Sequence, residues 1–117
     1  MTHVLLVDDD TSIVSNLRTF LNQEGFQVTS ANNQKETIDL LDSGQYHFDL
    51  ALLDVSLPDG SGFSLCSAIK ANSDIPVIFL TASDDEYSVV AGLDLGADDY
   101  IPKPFRPREL ISRMNSV

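Results

Sequence analysis

Tryptophan is absent from this chain, cysteine occurs once, and basic residues are scarce, seven against 18 acidic ones in 117. Each shortage excludes something. The lone Cys66 cannot close an internal disulfide, so a disulfide framework is ruled out and a reducing cytosol is the expected setting. A formal charge of −11 repels phosphate backbones and anionic lipid, so this domain is not expected to bind nucleic acid or membrane itself. No basic-plus-apolar leader precedes Val4-Leu5-Leu6-Val7, and no apolar run reaches the roughly 20 residues that span a bilayer. His3 and His47 have no cysteine or histidine partners at metal spacing and read as structural or surface residues. What is present is ordinary globular composition, 43% hydrophobic and 21% charged, in a length that suits one domain with a proper core.

The chain is organised around Leu50-Ala51-Leu52-Leu53-Asp54, four apolar residues running into a carboxylate, with the turn residues Pro58-Asp59-Gly60 close behind. The run reads as a strand buried on both faces that opens into a loop at Asp54. A carboxylate in that place is costly unless a cation or a hydrogen-bond donor meets it. Val4-Leu5-Leu6-Val7 is a first buried strand ending in Asp8-Asp9-Asp10, and Asp10 or Thr11 caps a helix with Ile13, Leu17, Phe20 and Leu21 inward until Gly25. Phe26 to Ser30 alternates weakly, as a sheet edge would, and Asn32 or Asn33 opens a second helix with Ile38 and Leu41 inward, closing at Gly44. Phe63, Cys66 and Ile69 mark a third helix, with Cys66 read as core rather than reactive. Pro76 to Leu80 is a fourth strand leading into Thr81-Ala82-Ser83. A helix from Asp84 or Asp85 through Val89, Val90 and Leu93 to Gly96 follows. Its acidic start, Asp84, Asp85 and Glu86, is explained by the helix dipole alone. Asp99-Tyr100-Ile101 forms a short fifth strand before Pro102-Lys103-Pro104-Phe105, and a last helix carries Leu110, Ile111 and Met114.

Five strands alternating with five helices imply an α/β fold: a five-stranded parallel sheet with helices on both faces. The common order for five such strands is 2-1-3-4-5, flavodoxin-like, with its switch point between strands one and three. Ligands bind beyond the carboxyl ends of the strands there, which gathers Asp8, Asp9 and Asp54, with Thr81 and Lys103 on neighbouring loops. Two carboxylates ~4 Å apart repel by roughly 4 kcal/mol at an effective dielectric of about 20. Such a cluster protonates or takes up a cation, and an all-oxygen site with room for water suits Mg²⁺, with Mn²⁺ or Ca²⁺ as alternatives. Lys103 adds a point charge and Thr81 a hydroxyl, the groups that the outer oxygens of a transferred phosphoryl need, with Asp54 as the nucleophile.

Asp8-Asp9 after strand one, Asp54 after strand three, Thr81 after strand four and Lys103-Pro104-Phe105 after strand five together resemble, over the whole chain, the receiver domain of a two-component response regulator (CheY-like). The resemblance implies that Asp54 accepts a phosphoryl group from a phosphohistidine on a sensor histidine kinase. Asp9, Asp54 and the Ser56 backbone carbonyl would ligate Mg²⁺, with Asp8 acting through water. Lys103 would bond the phosphoryl oxygens from a cis Lys103–Pro104 peptide. It also implies a switch in which Thr81 moves toward the phosphoryl group and Tyr100 turns inward, read by the face of helix four, strand five and helix five. Ser56 and Ser83 would tune dephosphorylation.

The segment from Leu95 to Leu110 resembles the subfamily carrying a winged-helix DNA-binding domain, so residues 1–117 are expected to be a receiver with an output domain beyond Val117, the only route to DNA. Asp98, Asp99, Arg106, Glu109 and Arg113 mix signs as a symmetric dimer face would. One departure stands out: Tyr87 to Leu95 holds no Lys or Arg to pair with Glu109 across such a dimer. A flavin module on the same strand order is disfavoured, because three aspartates stand where a phosphate loop would be. An aspartate-nucleophile hydrolase usually needs an acid two residues past the nucleophile, and Ser56 is there instead. A free-standing receiver that docks on a partner is the third alternative.

Overall fold

The computed structural model describes residues 2–81, 94, 96–104 and 106–117. Its central sheet takes five parallel strands, β1 (His3–Val7), β2 (Gln27–Ala31), β3 (Leu50–Asp54), β6 (Val77–Thr81) and β7 (Asp99–Pro102), in the order β2-β1-β3-β6-β7. Two-residue strands β4 (Ser56–Leu57) and β5 (Gly60–Ser61) form a separate antiparallel ribbon. With that ribbon set aside the order is the expected 2-1-3-4-5. The ribbon itself was not foreseen, because Pro58-Asp59-Gly60 reads in sequence only as a turn.

Strand alternation divides the core. Val4, Leu6, Leu50, Leu52, Ile78, Leu80 and Ile101 face α1 (Thr11–Gln23), through Val14, Leu17 and Leu21, and the C-terminal helix (Pro107–Ser116), through Leu110 and Met114. Leu5, Val7, Ala51, Leu53, Val77 and Phe79 face the other way, onto Leu65, Cys66 and Ile69 of α3 (Gly62–Asn72) and Ile38 and Leu41 of α2 (Gln34–Asp42). Both β3 and β6 are buried at all five positions, which is why their first four residues are continuous apolar runs rather than alternating ones. Among the described residues no helix is long and apolar enough to cross a membrane.

Local chemistry sets the boundaries. Of the two candidate caps for α1, Asp10 takes the position, its Oδ1 accepting from the Ser12 and Ile13 amides at 3.0 and 3.2 Å. For α2 the cap is Asn33, accepting from the Glu36 amide at 2.8 Å. The second strand begins at Gln27 rather than Phe26, because the Phe26 amide is spent on Leu21 at the end of α1. Gly25, at φ 93°, makes that reversal, a conformation in which a side chain would be strained. Val14 and Thr37, both buried, were missing from the sequence-based core. Of the helix expected from Asp84 or Asp85 to Gly96, residues 84–93 and 95 lie outside the described residues, as do Ser83 and Phe105.

Candidate functional site

Strands β1 and β3 pair up to Val7 opposite Leu53, so the next residues, Asp8 and Asp54, leave adjacent strand ends side by side. By the alternation of each strand both belong to the face of α1 and the C-terminal helix. Asp9 follows at the surface, and the three side chains each place a carboxylate oxygen within 4.8 Å of the others. Asp8 is fully buried and Asp54 is 6% exposed, whereas Asp9 is open to solvent. The backbone fixes the cluster: the Asp10 amide donates to Asp8 Oδ1 at 2.9 Å, and the Ser56 amide to Asp54 Oδ1 at 3.3 Å.

What meets Asp54 is Lys103. Its Nζ lies 2.8 Å from Asp8 Oδ2 and 3.5 Å from Asp54 Oδ2. The lysine arrives from the loop after β7, where its amide donates to the Thr81 carbonyl at 2.6 Å and the Lys103–Pro104 peptide is cis, as expected. One ammonium shared by two carboxylates does not neutralise both. Burial, followed by repulsion from Asp8, pushes the Asp54 carboxyl up to about 6, against the opposing pull of Lys103. For Lys103 burial is the largest influence and acts downward, yet the hydrogen bond to Asp8 and the charges of both aspartates outweigh it and raise its pKa.

The donor set fits a small hard dication. Three carboxylates of limited number, one exposed, offer oxygen only, and one ammonium already compensates part of their charge. Thr81, buried at the end of β6, and Tyr100, half-buried on β7, share the opposite face of the sheet, on the next rung but one (Phe79 pairs with Tyr100, Thr81 with Pro102). Tyr100 packs against the α3-side cluster, where Phe63 and Phe79 meet edge-on at 5.1 Å.

The residues of the expected dimer face are in part committed within the chain. Arg113 Nη1 donates to Asp99 Oδ1 and Oδ2 at 2.9 and 3.1 Å and its Nε lies 3.4 Å from Glu109. Asp98 Oδ2 accepts from Lys70 Nζ at 3.0 Å and from the Val77 amide at 2.8 Å, tying α3 to the start of β6. Arg106 is exposed at the N-cap of the C-terminal helix.

Sequence reasoning missed the residues that brace the loop after Asp54. Gly62 opens α3 directly against β3, and a Cβ there would overlap the Asp54 backbone carbonyl and sit 3.0 Å from its carbon. Asp59, read from sequence as a turn residue, reaches 25 positions back: its Oδ1 accepts from the Gln34 amide at 2.8 Å and its Oδ2 from the Lys35 amide at 3.0 Å. The short spacing of Pro58, Asp59, Gly60 and Gly62 was the available signal for a tight loop, but nothing local names its distant partner.

An apolar groove of about 430 Å³ runs between α1 and the loop to the C-terminal helix, lined by Ile13, Leu17, Phe20, Lys103, Pro104 and Pro107.

Comparison with known proteins gives one consistent family. The family model described as the response regulator receiver domain matches residues 4–115. Response regulator SaeR of Staphylococcus epidermidis is 44% identical over 118 residues, covering 100% of this chain and 50% of that protein. The transcriptional regulatory protein CpxR of Escherichia coli K12 is 44% identical over 117 residues, covering 100% and 49%. The chain therefore spans about half the length of these curated relatives. Among solved structures, a two-component response regulator from Clostridium difficile superposes with a TM-score of 0.92 at 29% identity, covering 99% of this chain and 94% of that one.

Proposed function

The chain belongs to the response regulator receiver domain family, and from that membership we propose that it is a phosphorylation switch whose acceptor is Asp54 and whose donor is a phosphohistidine on a sensor histidine kinase. As a receiver it is a signalling protein rather than a classical enzyme, and the only chemistry proposed for it is its own phosphorylation and slow dephosphorylation. The observation that carries the reading is the cluster of Asp8, Asp9 and Asp54, one carboxylate oxygen of each within 4.8 Å of the others, with the Lys103 ammonium set between Asp8 and Asp54.

In the proposed step an ionised Asp54 oxygen attacks phosphorus. The nitrogen–phosphorus bond breaks, and its electron pair stays on the imidazole nitrogen of the donor. Asp9, Asp54 and the Ser56 carbonyl would hold Mg²⁺ (Mn²⁺ or Ca²⁺ as substitutes), with Asp8 contributing through water. When bound, the dication would neutralise the carboxylates and draw charge from the phosphoryl oxygens. Lys103 stands 3.5 Å from Asp54, within reach of a phosphoryl group attached there. Thr81 would give its hydroxyl to the modified Asp54, and Tyr100, on the same sheet face, would follow it inward. Ser56 and Ser83 would set access of water during dephosphorylation.

The apolar groove that includes Lys103 in its lining supports docking of the kinase beside the acceptor. Output is proposed to be transcriptional, in the cytosol, through a fused DNA-binding domain of the winged-helix kind. The name and double length of CpxR support this. The activated form would dimerise through helix four, strand five and helix five, with Asp98, Asp99, Arg106, Glu109 and Arg113 exchanging pairs across the two-fold axis.

Acetyl phosphate with Mg²⁺ is expected to add one phosphoryl group, read as intact mass, and Asp54→Asn to lose it. Equal labelling of the variant would move the acceptor elsewhere.

A further inference from the structure

The ribbon that carries Ser56 is too small to hold its own shape. It has two paired rungs, Ser56 with Ser61 and Leu57 with Gly60, and a two-stranded ribbon is at best marginal in water. Its base is fixed by the Gly62 amide donating to the Val55 carbonyl at 3.0 Å. Its tip is fixed from outside the loop altogether. The cap of α2, Asn33, satisfies the Glu36 amide and leaves the Gln34 and Lys35 amides at the helix start to other partners. Asp59 takes both, one with each carboxylate oxygen, at 2.8 and 3.0 Å. The Gln34 amide above all holds the Asp59 carboxyl below the usual carboxylate range, so it is charged at neutral pH. Gln34 answers with its side chain, Oε1 accepting from the Ser61 amide at 3.2 Å, and Gly60 leaves the room for it, since a Cβ there would meet Gln34 Cδ at 2.6 Å. The contact is thus reciprocal, helix backbone to ribbon side chain and ribbon backbone to helix side chain.

We propose that Asp59 is a positioning residue: its clasp on the first turn of α2 holds the Ser56–Ser61 ribbon, and with it the Ser56 backbone, whose amide donates to Asp54 Oδ1 at 3.3 Å and whose carbonyl is the proposed cation ligand. This rests on the reading of that cluster as a cation-assisted phosphoacceptor site. Asp59 touches neither cation nor phosphoryl group; it acts through the ribbon. A cap that served α2 alone would change stability and leave cation affinity as it was.

The test uses the whole chain. Mg²⁺ affinity is measured by titration calorimetry, and the Mg²⁺ half-saturation of acetyl phosphate labelling by intact mass, for wild type, Asp59→Ala and Asp59→Asn. Asp59→Ala is expected to weaken Mg²⁺ about tenfold, the lower range for loss of a group that orients a metal ligand. Asp59→Asn, which keeps one acceptor, should lose less than Asp59→Ala, and both should label at the wild-type rate once Mg²⁺ is saturating. Unchanged Mg²⁺ affinity, with only a lower melting temperature, overturns the proposal. If Asp59→Ala does not fold, Asp59→Asn decides alone, weakened affinity supporting the inference and wild-type affinity overturning it. Wild type that labels without Mg²⁺ dependence would instead sink the parent reading, and this inference with it.

Discussion

Asp54 is held between a role and a penalty. Its carboxyl must be ionised to attack phosphorus, yet burial and the neighbouring Asp8 raise it to about 6. In the metal-free protein the folded chain therefore binds this proton more tightly than the unfolded chain does. Between about pH 4, the unfolded value, and pH 6, folding takes up a proton through Asp54, and stability falls as the pH rises through that window. With screening by nearby solvent the loss is about 1–2 kcal/mol. Denaturant melts of wild type and Asp54→Asn without metal should show that the variant lacks this decline and is the more stable protein at pH 7. Parallel pH profiles for the two would contradict the strained carboxylate. The pair Asp8–Asp9 and the lysine before Pro104 were legible from residue type and position alone. That Asp8 rather than Asp9 is the fully buried member, 2.8 Å from Lys103, was not, because adjacent residues differ only in which face they leave the strand end by.

Among the elements, the segment from Ser56 to Gly62 does the most with the fewest residues. It turns the chain from β3 into α3 while passing so near Asp54 that position 62 has no room for a side chain. Gly62→Ala forces either the Asp54 carbonyl or the start of α3 to move. A cost of about 1–3 kcal/mol in urea unfolding is expected, as for other overpacked sites, together with slower labelling by acetyl phosphate. A variant as stable and as fast as wild type would mean that the loop relaxes freely. Helix and strand identities here were readable because each element repeats its signal: α1 shows it at Ile13, Leu17 and Leu21, and β3 in a continuous apolar run. The ribbon has two rungs and no period to detect, so its pairing and its reach to Gln34 stayed hidden.

At the scale of the molecule, acidic residues exceed basic ones by 11, and the fold places three of them, Asp8, Asp9 and Asp54, with a carboxylate oxygen of each within 4.8 Å of the others. A dication bound only by the folded form therefore stabilises the whole domain by mass action, by about 2.7 kcal/mol at a hundredfold excess over its dissociation constant. Thermal melts should rise with added Mg²⁺ for wild type and stay flat for Asp9→Ala. An equal rise in both would put the cation elsewhere. The intrachain pairing of Arg113 with Asp99 and Glu109 belongs to this scale too, since the same charges that link β7 to the C-terminal helix are those proposed to meet a second copy.

By itself the sequence determined the alternation of strands and helices, the buried character of β1, β3 and β6, the parallel order and the edge on which the charged residues gather. Those follow from hydrophobic period, turn residues and the handedness of crossovers, all of which act along the chain. Tertiary structure alone decided that Lys103 bridges Asp8 and Asp54, that Gly62 must be bare, and that Asp59 grips α2. Each of these is a contact between segments distant in sequence, set by where the strand ends lie in three dimensions, and no local pattern encodes the partner.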